Sequence, residues 1–184
     1  DLLFFDDFTR PTEPGALTPW KVQSGNWTIT EGRMQAGTNG PQTYGYTYVT
    51  NAWSNGVVEV RLRFPAGAFG GGVGARLNRE TGAHYAAWVY PEDSPGGSRA
   101  LRLVKFQTWN TFGYLGTNGL AMAQTTLPAV GTNWNTVRLA LHANRLAVYF
   151  NGQQVLSAVD EEAAPYLSGG TSLEFWTASM PYPL

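Results

Sequence analysis

Hydrophobic and polar residues alternate along Val57-Val58-Glu59-Val60-Arg61-Leu62-Arg63-Phe64. Val58, Val60, Leu62 and Phe64 fall on one side, and Glu59, Arg61 and Arg63 on the other. A period of two marks a strand buried on one face. Similar reasoning predicts strands over Phe4–Phe8, Trp27–Thr30, Tyr44–Val49, Val73–Leu77, His84–Tyr90, Leu101–Gln107, Thr136–His142, Arg145–Asn151, Gln153–Val159 and Ser172–Trp176. No stretch carries a convincing helical period. Asn-Gly pairs begin at Asn39, Asn55, Asn118 and Asn151 and suit tight turns; the last joins two strand patterns and predicts a hairpin. Looser connections are expected over Arg10–Pro19, Pro91–Ser98 and Asp160–Gly170, where Pro or Gly mixes with acidic or small residues. The expected architecture is all-β, an antiparallel sandwich of about ten to twelve strands, and no break in composition divides residues 1–184 into more than one domain.

Composition then removes several function classes. Of 184 residues, 43% are hydrophobic and 14% charged, as in a chain that folds around a core. Twelve basic and thirteen acidic side chains give a net charge of -1, and the basic ones are scattered, so no nucleic-acid partner is expected. The longest apolar stretch, about Tyr85–Tyr90, is far shorter than the ~20 residues that span a bilayer, so no membrane insertion is expected. The absence of cysteine excludes disulfides and thiol chemistry. The chain does not open on a basic region followed by an apolar stretch, which reads as a trimmed precursor or an excised domain.

Several motifs recur in a familiar order: Asp6-Asp7-Phe8, Trp20, Gly25-Asn26-Trp27, Gly32-Arg33-Met34, Gly72 to Arg76, Trp134-Asn135-Thr136-Val137-Arg138-Leu139 and Val148-Tyr149-Phe150-Asn151-Gly152. Together they resemble laminin-G-like domains of the concanavalin A-like lectin/glucanase superfamily over nearly the whole chain. The resemblance implies a two-sheet jelly roll that closes with a valine-rich strand beside the first. Here the chain reads Met180-Pro181-Tyr182-Pro183-Leu184 instead. The expectation is therefore a jelly roll lacking its closing strand, with an open edge beside Leu2–Phe8. Some laminin-G-like domains bind calcium. Calcium is thus a candidate ligand, with Asp6-Asp7, Glu92-Asp93 and Asp160-Glu161-Glu162 as oxygen donors.

Glycan-cleaving enzymes place two carboxylates about the scissile bond. Glu59 and Glu174 are the only glutamates inside strong strand patterns and form the candidate pair. The histidines, His84 and His142, lie in no nucleophile motif. Aromatic content is the most distinctive feature, with seven Trp, nine Tyr and nine Phe. Sugar rings stack their apolar faces on such side chains. Tyr44, Tyr46 and Tyr48 share one strand face, Trp88 and Tyr90 share a face with His84, and Trp109 and Tyr114 follow Lys105 in a glycine-flecked stretch. Arg76, opposite Val73, Ala75 and Leu77, offers a planar donor fork. The candidate carbohydrate-binding set is Arg76, His84, Trp88, Lys105, Trp109 and Tyr114, with Trp20, Trp27 and Trp134 assigned to the core. Asn26-Trp27-Thr28 also matches a glycosylation acceptor.

The first functional expectation is a non-catalytic carbohydrate-recognition or adhesion module, extracellular or at the cell surface within a larger protein, whose partner is a polysaccharide or glycan. The second is the subunit of an extracellular fibre in which copies add strands to one another, the apolar Leu2-Leu3-Phe4-Phe5 being the donor. The third is a glycoside hydrolase using Glu59 and Glu174.

Overall fold

The computed structural model describes residues 1–37, 44–177 and the backbone of 182–183. The strands are β1 (Lys21–Ser24), β2 (Asn26–Thr30), β3 (Arg33–Gly37), β4 (Tyr44–Trp53), β5 (Gly56–Leu62), β6 (Gly70–Leu77), β7 (His84–Val89) and β8 (Ala100–Thr108). They continue as β9 (Thr111–Tyr114), β10 (Thr117–Asn118), β11 (Ala123–Thr126), β12 (Asn135–His142), β13 (Arg145–Phe150), β14 (Gln153–Val159), β15 (Gly169–Trp176) and β16 (Tyr182–Pro183). Among the described residues there is no helix, and none long and apolar enough to cross a membrane.

Among the described residues all strand pairing is antiparallel. One nine-stranded sheet runs β1-β4-β15-β6-β7-β8-β9-β10, with β11 paired to β8. Opposite it lie a four-stranded sheet, β14-β13-β12-β5, and a three-stranded sheet, β16-β3-β2. Tyr85, Ala87 and Val89 of β7, Leu101 and Leu103 of β8, and Leu173 and Phe175 of β15 point inward from the large sheet. They meet Leu62, Val137, Leu139, Leu141, Leu146, Val148 and Phe150 of the four-stranded sheet, and Trp27, Ile29, Met34 and Ala36 of the three-stranded one. Two layers sharing one apolar interior make a β-sandwich. The predicted hairpin is present: Asn151 and Gly152 both have positive φ, 49° and 84°, and join β13 to β14. The Asn39-Gly40 turn lies outside the described residues.

Residues Phe4–Phe8 depart from the predicted strand. Asp6 Oδ1 accepts a hydrogen bond from the Phe8 amide and Asp7 Oδ1 one from the Thr9 amide, while Phe8 adopts a φ of 59°. These local side-chain turns replace a ladder. Phe4 and Phe8 still pack on Trp20, with centroids 5.9 and 6.0 Å away. Leu2, Leu3 and Phe5 are exposed, at 80%, 64% and 71%, but the segment is not an extended strand. At the other end Tyr182 and Pro183 pair with Ala36 and Gln35 of β3; the rest of Met180–Leu184, which reads as lacking the closing strand, lies outside the described residues.

Candidate functional site

Strand β6 begins Gly70-Gly71-Gly72-Val73-Gly74, so its outward positions 70, 72 and 74 carry no side chain. The result is a trough between β15 and β7 on the outer face of the large sheet. Glu174 enters it from one side, His84 and Trp88 from the other. A Cβ at Gly74 would stand 2.5 Å from Glu174 Oε1 and 2.8 Å from His84 Cδ2, so the arrangement needs glycine there. Trp88 Nε1 donates to Glu174 Oε2 at 2.5 Å, and Ser172 Oγ donates to Oε1 at 2.6 Å. His84 Nε2 lies 2.6 Å from the same Oε1. His84 Nδ1 lies 2.7 Å from the Gly82 carbonyl, which only accepts, so Nδ1 carries hydrogen. Glu174, His84 and Ser172 are fully buried and Trp88 nearly so.

Aromatic side chains enclose this network. The His84 ring stacks on Phe106 at 4.5 Å and 5°, and Tyr46 meets both rings edge-on. Trp109 lies over Tyr46 and Tyr48, at 5.4 and 5.7 Å. Farther along the face, Tyr44 stacks on Trp176 at 5.7 Å and 7°, and Arg102 lies 4.9 Å from the Tyr90 ring. Burial, then the Glu174 charge, pushes the Tyr46 hydroxyl far above its ordinary range; burial also raises Tyr90 against the opposing pull of Arg102. Both phenols are neutral donors at physiological pH. Tyr44 is 42% exposed, and Tyr48, Arg102, Trp109 and Trp176 are half-buried. Tyr46 and Tyr90 are buried, so the surface presents the accessible ring faces and the Tyr44 hydroxyl, its pKa raised by burial, above a sealed carboxylate. That combination suits the alternating apolar and hydroxylated faces of sugars.

Residues 10–178 match the family described as the 3-keto-alpha-glucoside-1,2-lyase-like domain. The chain belongs to that family. No curated protein matches it. Among solved structures, its fold is similar to that of the carbohydrate binding module CBM66 from Bacillus subtilis, at 16% identity over 89% of this chain and 91% of that one, TM-score 0.69. It is similar as well to Bacillus licheniformis beta-glucanase, at 11% identity over 96% and 85%, TM-score 0.64. A third is endo-beta-1,3-glucanase from Pyrococcus furiosus, at 13% identity over 95% and 83%, TM-score 0.66. At these identities the likeness shows the fold, a concanavalin A-like or galectin-like jelly-roll sandwich.

In this 3-keto-alpha-glucoside-1,2-lyase-like domain the fold divides the six candidate binding residues in two. It brings His84, Trp88 and Trp109 together on the outer face of the large sheet. Arg76, Lys105 and Tyr114 are turned to the end of the sandwich instead. Arg76 Nε and Nη1 donate to the carbonyls of Ser54 and Tyr166 at 2.9 and 2.7 Å, and further bonds reach the Ala143 carbonyl and Asn55 Oδ1. Lys105 Nζ lies 2.6 Å from Asp160 Oδ2 and 2.7 Å from Glu162 Oε2. Tyr114 Oη donates to the Val159 carbonyl and accepts from the Glu161 amide. All three hold the loop over 160–166.

Glu59 and Glu174 are also separated. Glu59 faces outward from the four-stranded sheet, paired with Arg138 at 2.6 Å, whereas Glu174 faces outward from the opposite layer. This pair cannot flank one glycosidic bond. Nor do the acidic clusters converge on a cation: among the described residues no three His, Cys, Asp or Glu side chains form a metal-binding group. Asp6 is held by Arg10 and Trp20, Glu92 by the Val130 and Gly131 amides, and Asp160 by Lys105. Trp134 lies half-buried between Arg61 and Arg63, outside the core. Ser172, Trp176 and Arg102 are members of the face that the candidate set omitted. Strand parity with Glu174 and with Trp88 was the signal for them.

Proposed function

We propose that residues 1–184 form one non-catalytic glycan-recognition domain of an exported or cell-surface protein, and that polysaccharide binds the outer face of the nine-stranded sheet. The observation that carries this reading is the set of accessible rings, Tyr44, Tyr48, Trp109 and Trp176, above a carboxylate whose oxygens are already engaged. The shared fold of CBM66 and the laminin-G-like motifs support it. Affinity electrophoresis through a panel of neutral polysaccharides tests it: Trp109→Ala and Tyr48→Ala should each weaken retardation about tenfold or more, with the circular dichroism spectrum unchanged. Wild-type retardation in both variants would remove this face from binding. Trp88 is a poor probe, because its buried indole is bonded to Glu174.

The His84–Glu174 contact, in a family described as lyase-like, favours a second reading. Elimination across C1–C2 of a 3-keto-glucoside takes the C2 proton, acidified by the neighbouring ketone. The C–H electron pair forms the C1=C2 bond, and the C1–O bond breaks with protonation of the leaving oxygen. His84 or Glu174 would be the base, after displacement of Tyr46 and Trp109. Proton NMR of a 3-keto-glucoside incubated with the chain decides between the two. Release of the leaving alcohol together with the vinylic C1 proton of the C1=C2 product, both vanishing in Glu174→Gln, would establish a lyase; an unchanged substrate supports recognition alone.

A further inference from the structure

Four arginines that are dispersed in sequence lie on one face. On the outer face of the four-stranded sheet, Arg61 and Arg63 lie 5.8 and 5.2 Å from the Trp134 ring. Strand register then sets out rows across this face. Glu59, Arg138 and Tyr149 form one row, Val57, Ala140, Ala147 and Ser157 the next, and His142, Arg145 and Val159 the third. Arg138 holds Glu59 while lying 5.9 Å from the Tyr149 ring. The small side chains of the middle row leave an open depression, rimmed by Val57, His142, Arg145 and Glu161. Four of the chain's twelve basic side chains thus share a face with Glu59 and Glu161, in a protein whose net charge is -1. From Trp134 to His142 the face extends about 27 Å at the rise of a strand.

We propose that this face is a second binding surface, for an acidic glycan bearing carboxylates or sulfates. Guanidinium forks pair such anions bidentately. Trp134 and Tyr149 add ring faces, and the depression beside Arg145 admits a sugar ring. Arg61 and Arg63 at one end and Arg145 at the other are separated by the Glu59–Arg138 pair and by an apolar row, so anionic groups of a glycan would be met at separate points along the chain. Nucleic acid, with its dense phosphates, selects for dense basic contacts instead. The surface lies on the opposite layer from the aromatic face, so the two are tested independently.

Native gels containing polygalacturonate, dextran sulfate or a neutral beta-glucan, run on the 184-residue chain at low and high salt, give the test. Retardation by polygalacturonate identifies carboxylate, and by dextran sulfate alone, sulfate. The double variant Arg61→Gln/Arg145→Gln should weaken it about tenfold or more and leave thermal unfolding and beta-glucan binding unchanged, while high salt weakens it in the wild type. Trp109→Ala should leave acidic-glycan retardation intact. No retardation by either acidic polymer, or retardation that survives in the double variant or is lost in Trp109→Ala, would overturn the proposal. Single-stranded DNA bound more tightly than either polymer, and released by the same double variant, would replace the glycan with nucleic acid.

Discussion

Replacing Lys105 with methionine separates a structural lysine from a sugar-binding one. The side chain is 2% exposed, and its ammonium lies 2.6 and 2.7 Å from Asp160 and Glu162 and 4.7 Å from the Tyr166 ring. Asp160, itself 1% exposed, also accepts from the Tyr85 hydroxyl. Removing one partner of a buried ion pair costs about 3–5 kcal/mol, because the other charge is left uncompensated, out of a total stability of ~5–15 kcal/mol. With an m-value of ~2 kcal/mol/M, the urea midpoint of Lys105→Met, followed by tryptophan fluorescence, should fall by about 1.5–2.5 M. Adding Asp160→Asn should recover part of the loss, since the orphaned charge goes with it. Burial lowers the Lys105 pKa, but Asp160 and Glu162 outweigh it and hold it above the ordinary 10.5. A raised lysine stabilises fully below its unfolded value and loses that contribution as pH rises through the folded one. The wild type should therefore lose its advantage over Lys105→Met in strongly alkaline solution. A cost under ~1 kcal/mol in the single variant, or a full further loss in the double one, would refute the buried pair.

Two other substitutions probe the site and the chain start. Gly74→Ala should destabilise by about 1–3 kcal/mol and shift tryptophan emission, because the added methyl meets Glu174 and His84; wild-type stability and emission would show that the trough has room. Burial raises the Asp6 pKa, but hydrogen bonds from Arg10, the Phe8 amide and Trp20 outweigh it and hold it below the ordinary 3.8. A depressed carboxylate stabilises above its unfolded value and loses that contribution as pH falls through the folded one. The stability gap between wild type and Asp6→Asn should therefore narrow in acid unfolding below pH ~3.8, and a constant gap would locate the acid sensitivity elsewhere.

The strands easiest to read in the sequence were those of the four-stranded sheet, where one face meets the core and the other meets water. In β6 and β7 every position is buried, so polarity does not distinguish the inner from the outer face. Arg76 shows how parity fails. It is the extra residue opposite the step from Gly170 to Thr171, and its φ is 57°. A bulge of this kind leaves one residue unpaired, breaks the ladder locally and re-aims that side chain. Lys105 shares its parity with Leu101 and Leu103, which already placed it inward. Its partners come from a loop 55 residues or more away and leave no local trace. Phe4–Phe8 reads as a strand by hydrophobicity, and the aspartates inside it set the turns.

Arg76 has a consequence for how the molecule opens. One guanidinium joins the nine-stranded sheet to the β4–β5 turn, the β12–β13 turn and the backbone of Tyr166. The two layers cannot part at that end without exposing a buried cation and several carbonyls together. Amide hydrogens of β6, β12 and β15 should therefore exchange with solvent as a single cooperative unit, through global rather than local unfolding.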